Sequence, residues 1–296
     1  LPYSSSCSCV GKNGLHHYSI RHRHTMIDFS KIISESNLYN FHSHTQFCDG
    51  RAEMEQFAQA AADSRFTHYG FSPHSPIPLQ SPCNMKFSDV DKYIAEFNRL
   101  KSLYSDRLEL YMAMEIDYLG DDWGPASPYF DSLPLDYRIG SVHFIPSKNG
   151  MVDVDGRFEN FKNKMAVHFD NDIRYVVESF YSQTNRMIQS GKFDIIGHFD
   201  KIGHNASHFC PGIEDKQWYI NLVNDIIDNI ISNKLTVEIN TKAKAEHNKF
   251  FPNEKYWKRL SDAGITIVIN SDAHYPELIN ASRPEALTSL DRLRSN

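Results

Sequence analysis

Histidine is the residue type in this sequence that most asks for a chemical explanation. There are 15 in 296 residues, and neutral imidazole both binds transition metals and moves protons near neutral pH. Two of them stand in His42-Ser43-His44. Side chains two apart in an extended segment point the same way, so this pair can grip one ion. Asp49 follows in the next loop, and farther along come His74, Glu115, His143, His198 and the pair Asp272 and His274. These are nine nitrogen and oxygen donors without a thiolate. Such a set suits two or three divalent ions of the zinc, manganese or iron type, with three carboxylates offsetting part of the cationic charge. A structural zinc is closed by four ligands, whereas donors delivered from many separate segments imply a multinuclear site with open positions, which is the arrangement catalysis needs.

What positions these donors is a series of short apolar runs, at 38–41, 67–71, 108–114, 137–142, 193–196, 235–239 and 265–269. Each is compatible with a buried parallel strand. The donors follow the runs: His42 and His44 the first, His74 the second, Glu115 the third, His143 the fourth, His198 the fifth, Asp272 and His274 the seventh. Only the sixth run is followed by no metal-type residue. Segments of helical period lie between, at 52–64, 88–104, within 158–189, at 215–232 and at 254–263. In the helix near residue 220, Ile220, Val223, Ile226, Ile227, Ile230 and Ile231 form one apolar stripe, which reads as core. Strands alternating with helices imply right-handed βαβ units, and an α/β barrel collects residues from many strand ends on one face, whereas an open sheet concentrates them at one switch point. A barrel is the predicted fold. The stretch 120–134, rich in Asp, Gly, Pro and aromatics, reads as a rim loop.

Charge and composition narrow the partners. With 31 Lys+Arg against 37 Asp+Glu, the formal charge is -6, so the pull that a basic surface exerts on phosphate backbones is missing and no nucleic-acid partner is expected. No apolar run approaches the roughly 20 residues that cross a bilayer, and no membrane association is expected. The five cysteines, at 7, 9, 48, 83 and 210, show neither zinc-knuckle nor disulfide-scaffold spacing and fit a reducing cytoplasm. Residues 1–36 are read as an N-terminal extension, with Met26 a candidate start and no apolar core of a signal peptide, and residues 37–296 as one barrel domain.

These motifs together resemble the PHP (polymerase and histidinol phosphatase) superfamily, through His42-Ser43-His44-Thr45, Glu115, Ser141-Val142-His143, Gly197-His198-Phe199-Asp200 and Ser271-Asp272-Ala273-His274. The resemblance spans about residues 38–285. Within the superfamily the sequence is most similar to histidinol-phosphate phosphatases, in Gly70-Phe71-Ser72-Pro73-His74-Ser75-Pro76, Glu115-Ile116-Asp117-Tyr118, the segment 136–144 and Glu238-Ile239-Asn240-Thr241. The resemblance implies a distorted seven-stranded (β/α) TIM-like barrel. It also implies one ion held by His42, His44, Glu115 and Asp272, a second by Glu115, His143 and His198, and a third by Asp49, His74 and His274. There are two departures: Ser72-Pro73-His74 stands where many members carry an acid before the histidine, and 242–251 does not continue as the subgroup does.

The implied activity is metal-dependent hydrolysis of L-histidinol phosphate, a step of histidine biosynthesis, through in-line attack of a hydroxide held between the ions that Glu115 bridges. Glu115, His143, Asp200 and His274 are the catalytic candidates, with Asp200 either orienting an imidazole or carrying a proton to the leaving oxygen. Arg157, Lys201, Lys242 and Arg283 are candidates to touch phosphate. Asp117, Tyr118, Asp121, Asp122 and Trp123, which follow Glu115, are candidates to meet the ammonium and imidazole of histidinol. His68, His168, His204, His208 and His247 read as structural or surface residues, and Cys48 and Cys83 lack the setting of a nucleophile. The alternatives are a nuclease or phosphodiesterase of the same superfamily, a phosphotyrosine-protein phosphatase, and a non-catalytic metal-binding barrel.

Overall fold

A computed structural model describes residues 27–295; the expectations for residues 1–26 lie outside the described residues. All seven apolar runs become strands of one parallel sheet. They are β1 (Tyr39–Asn40), β2 (His68–Phe71), β3 (Glu109–Asp117) and β4 (Tyr137–Ser141), then β7 (Ile195–Ile196), β8 (Thr236–Asn240) and β9 (Ile267–Asn270). Their order in the sheet is their order in the chain, as right-handed βαβ units require. Between β4 and β7 the chain adds an antiparallel hairpin outside the seven apolar runs, β5 (Phe144–Ser147) with β6 (Gly150–Asp153).

The sheet curls into a nearly closed barrel. Its seam, between β1 and β9, is joined mainly by side chains. Asn270 Oδ1 accepts from the Phe41 amide at 2.9 Å, Asn40 exchanges bonds with Ser271, and the Ile269 amide donates to the Tyr39 hydroxyl at 3.1 Å. Above the seam a single parallel bridge, Ser43 to Ala273, resumes backbone pairing.

The principal outer helices are α1 (Phe29–Glu35), α2 (Met54–Asp63), α3 (Val90–Leu103), α4 (Pro128–Asp131), α5 (Phe158–His168), α6 (Ile173–Ser190), α7 (Ile202–Phe209), α8 (Gln217–Asn233), α9 (Lys244–His247), α10 (Trp257–Asp262) and α11 (Arg283–Ser295). The predicted segment within 158–189 is two helices, parted where Asp170 and Asn171 adopt φ of 50° and 59°. On α8 the stripe is core as expected, with Val223, Ile226, Ile227 and Ile230 fully buried. No helix among the described residues is long and apolar enough to cross a membrane.

Helix α1 corrects the domain boundary at residue 36. Phe29 and Ile32 are buried with Tyr39, Phe41, Tyr137, Ile139 and Val268 in the cluster that fills the barrel, and the Phe29 ring meets Phe41 edge-on at 4.9 Å. Residues 29–35 thus belong to the barrel body. A seven-residue helix spans barely two turns, too few for its apolar face to show as a period in the sequence. In β2, Gly70 leaves room for the Tyr137 hydroxyl, which a Cβ there would overlap.

Candidate metal centre

Backbone pairing continues past the strand ends and fixes the donor positions. His74 pairs with Glu115 in a parallel bridge, the Glu115 amide donates to the Pro73 carbonyl, and the His44 amide donates to the Ala273 carbonyl at 2.9 Å. Asp49 is brought back to His44 by a loop in which Gly50 lies against the His44 and Thr45 backbone, with no space for a Cβ. Asp272 takes φ of 49°, a left-handed conformation that Asp tolerates better than most residues.

Glu115 stands at the middle of the arrangement, 1% exposed. Its Oε2 faces His74 Nδ1 at 3.1 Å, His42 Nε2 at 3.2 Å and His44 Nε2 at 3.5 Å. Its Oε1 faces His198 Nε2 at 2.9 Å and His143 Nε2 at 3.5 Å. The two oxygens therefore look into two different groups of imidazoles. Asp272 Oδ1 lies 3.1 Å from His44 Nε2. A third group gathers around Asp49 Oδ1, with His274 Nε2 at 3.3 Å, His44 Nδ1 at 3.6 Å and His74 Nε2 at 4.0 Å. All nine sequence-predicted donors are thus brought together, and the ligand atoms of eight of them, all but Asp272, converge in overlapping groups closely enough to share an ion, with Asp117 joining His74 and His143 in one further group.

The donors fit metal ions on a second, independent ground. His42 Nε2, His44 Nε2, His74 Nδ1, His143 Nε2 and Asp49 Oδ1 are buried without a hydrogen-bond partner. Buried polar atoms are almost always paired, and atoms left without a partner that point at one another suit a shared cation.

Charge within the cluster is strongly coupled. Burial opposes ionisation of Glu115, but His42, His74 and His143 outweigh it and hold the carboxyl well below its usual range. His44 is held well below the ordinary imidazole value by burial and by its neighbours His274 and His74. For His143, burial works against a proton, yet Asp117 and Glu115 prevail and push it up to about 9.

Two acids behind the donors orient them. Asp117 Oδ1 accepts from His143 Nδ1 at 2.6 Å, and Glu238 Oε1 lies 2.6 Å from His42 Nδ1. This is the outer contact that fixes an imidazole's tautomer and raises its basicity. Glu238 sits inside the sixth run, the one followed by no metal-type residue. It is fully buried and is braced by Asn240 and Asn270, and Asn240 also donates to Asp272 Oδ2 at 3.0 Å. An acid in an apolar run, with a second polar residue two positions on, is the signal that could have revealed this inward face.

The site opens into a cavity of about 190 Å³ walled by Asp49, His74, Glu115, His143, His198, Asp272 and His274 together with Asn84, Asp117, Asp153, Asp155, Lys201 and Lys242. A larger, shallower depression, lined by residues such as Leu79, Gln80 and Lys86, shares Ser81 and Asn84 with it but presents no carboxylate or imidazole.

Of the basic candidates, Lys201 and Lys242 reach the cavity, with Lys242 Nζ 3.2 Å from His274 Nε2. Arg283 does not. It is fully buried at the seam, donating to the Ile269 and Asn37 carbonyls and to Asn280, with Tyr39 and Phe66 against its guanidinium. Arg157 is exposed at the start of α5 and lies outside the cavity wall.

Asp200 also turns away. Its Oδ2 accepts from the Asn253 amide at 2.7 Å, it contacts no donor imidazole, and burial pushes its carboxyl up to about 7. Asp117 has both oxygens occupied, by His143 and by Asn84, so it is an orienting residue and not free for an ammonium. Tyr118 donates to Asp121, Asp121 pairs with Arg186, and Trp123 packs on Tyr129 and Phe130; neither these nor Asp122 line the cavity. His68, His168, His204, His208 and His247 stand outside the cavity wall too. Cys48 and Cys83 stay protonated thiols, pushed up to about 12 and about 11 by burial and by Asp49.

The PHP domain family matches residues 40–242, a span that takes in seven of the nine donors. The chain belongs to the PHP domain family. Two curated relatives, from Deinococcus radiodurans and Schizosaccharomyces pombe, are each named "Probable histidinol-phosphatase". The first is 25% identical over 245 residues, covering 81% of this chain and 88% of the relative. The second is 24% identical over 267 residues, covering 85% of each. Among solved structures, this PHP chain superposes on a candidate histidinol phosphatase of Listeria monocytogenes with a TM-score of 0.75 and 19% identity, covering 83% of this chain and 99% of the other. It also superposes on a histidinol phosphate phosphatase of Lactococcus lactis, solved with zinc, L-histidinol and phosphate, with a TM-score of 0.63 and 17% identity, covering 86% and 93%. These superpositions establish the shared barrel.

Proposed function

We propose that the protein is a metal-dependent phosphoric monoester hydrolase that releases phosphate from L-histidinol phosphate in histidine biosynthesis. The observation that carries this reading is Glu115, buried between two groups of imidazoles, four of whose buried nitrogens have no hydrogen-bond partner. The names of both curated relatives and the ligands of the Lactococcus lactis enzyme support the substrate. The free thiols Cys48, Cys83 and Cys210 support a cytoplasmic setting.

A phosphomonoester resists hydrolysis because its own anionic oxygens repel a nucleophile. Two or three zinc, manganese or iron ions, held by the nine donors, would supply positive charge to those oxygens and hydroxide at neutral pH. The chain's part is to hold the charges still. Glu115 offers one oxygen to each group, Glu238 and Asp117 lock His42 and His143, and Asn240 steadies Asp272. Lys201 and Lys242 on the cavity wall can attract the phosphate and orient it for in-line displacement. With both nearby thiols protonated, no side-chain nucleophile is implied.

The test is a turnover screen of the metal-reconstituted chain on L-histidinol phosphate, glycerol phosphate, a nucleotide, a phosphotyrosine peptide and a phosphodiester. L-histidinol phosphate is expected to exceed glycerol phosphate in kcat/KM by at least about tenfold, roughly 1.4 kcal/mol of differential binding in the transition state. Equal efficiencies would contradict the substrate, and cleavage of the diester alone would contradict the reaction class.

A further inference from the structure

The cavity wall carries an ion pair outside the donor cluster. Lys201 Nζ and Asp155 Oδ2 stand 2.7 Å apart, with side chains 19% and 31% exposed, and both face the cavity beside His143 and His198. Asp155 is held in place by its backbone. It lies just beyond the hairpin, its amide donates to Asp153 Oδ1 at 2.8 Å, and the preceding Val154 amide donates to the His143 carbonyl at 2.8 Å. From the other side, buried Asn205 of α7 reaches the Val154 and Gly156 carbonyls. The carboxylate is thus tied to the same backbone that delivers His143.

The other carboxylates of the cavity are committed. Asp49 and Glu115 belong to the donor cluster, Asp272 faces His44 and accepts from Asn240, Asp117 is taken by His143 and Asn84, and Asp153 bonds Lys164 and the Asp155 amide. Asp155 is committed only to Lys201, a flexible cation that a phosphate can draw away. L-histidinol phosphate carries its ammonium group on the carbon next to the phosphoester methylene, so it presents an anion and a cation close together. It can dock antiparallel to the Lys201–Asp155 pair, phosphate to lysine and ammonium to aspartate. A phosphate without an amine engages Lys201 only by leaving Asp155 facing an anion, which repels it.

We propose that Asp155 is the residue that recognises the substrate's ammonium group and rejects phosphates lacking one; this rests on the histidinol phosphate reading. The role falls to the loop after the hairpin and not to the loop after β3.

The experiment measures kcat/KM of the full, metal-reconstituted chain and of Asp155→Asn for L-histidinol phosphate and for imidazolylpropyl phosphate, which lacks only the amine. Product inhibition by L-histidinol and by inorganic phosphate is measured alongside, and Tm confirms folding. The wild-type protein is expected to prefer the amine-bearing substrate by at least about tenfold, and Asp155→Asn to reduce that preference by about tenfold or more. Inhibition by L-histidinol should weaken in parallel, with inhibition by inorganic phosphate moving the other way. Lys201→Met should weaken both substrates. A wild-type preference that survives in Asp155→Asn would overturn the role of Asp155 while leaving the substrate reading intact. No preference in the wild type would overturn both, and so separates the two failures. Should Asp155→Asn unfold, Asp155→Ser gives the same comparison.

Discussion

The metal centre and the barrel seam are both buried, polar and built from the same strands, yet they treat their polar groups in opposite ways. At the seam Arg283 is fully buried, and its guanidinium meets two carbonyls, an amide oxygen and two aromatic faces. Asn40, Asn270, Ser271 and Tyr39 pair with one another or with backbone. At the centre, four imidazole nitrogens and a carboxylate oxygen are buried with no partner. Buried polar atoms left unmade cost stability, so a fold keeps them together only where something else completes them. Satisfied polarity closes the barrel, and unsatisfied polar atoms gathered into one cluster mark a place that a cation can complete.

Substitutions on the two sides should separate cleanly. The largest effect is expected for Glu115→Gln, which keeps shape but removes the charge both imidazole groups share. Turnover should fall by at least about a thousandfold, roughly 4 kcal/mol, with Tm preserved. Near-wild-type turnover would remove Glu115 from the centre of the site.

Next is Arg283→Met, which strands three acceptors at the seam. It should cost about 2–3 kcal/mol of stability in denaturant unfolding, while kcat/KM per folded molecule stays at the wild-type level. Lost turnover in a fully folded sample would return Arg283 to the substrate. Smaller still is Glu238→Gln, which weakens the hold on His42 from behind. A loss of about 10–100-fold in metal affinity is expected, the scale for outer partners of ligating histidines, measured by competition with a chelator. An unchanged affinity would make Glu238 a barrel-filling residue only.

The comparison also explains what could be read from the chain. The seven strands and the nine donors were legible because apolar runs mark buried strands and a barrel places its chemistry just after them. Position after a strand does not determine where a side chain points. Lys201 and Asp200 are adjacent, yet one faces the cavity and the other the Asn253 amide. Arg283 followed a strand too, but a loop returned it to the seam. Glu238 stands inside a strand and not after one, so its position in the chain does not mark it as a partner of the site, although alternation puts Glu238 and Asn240 on one face of β8. The hairpin that precedes Asp155 has strands of only four residues each, too short to announce themselves by periodicity.

The multinuclear centre is tested most directly by metal content. Elemental analysis of the reconstituted, desalted chain should find two to three divalent transition-metal ions per chain, since three carboxylates and six imidazoles gather at and just beneath one cavity. Exhaustive chelation should abolish turnover, and restored metal should return it. Fewer than one ion per chain after reconstitution, or full activity after chelation, would contradict a catalytic centre built on Glu115.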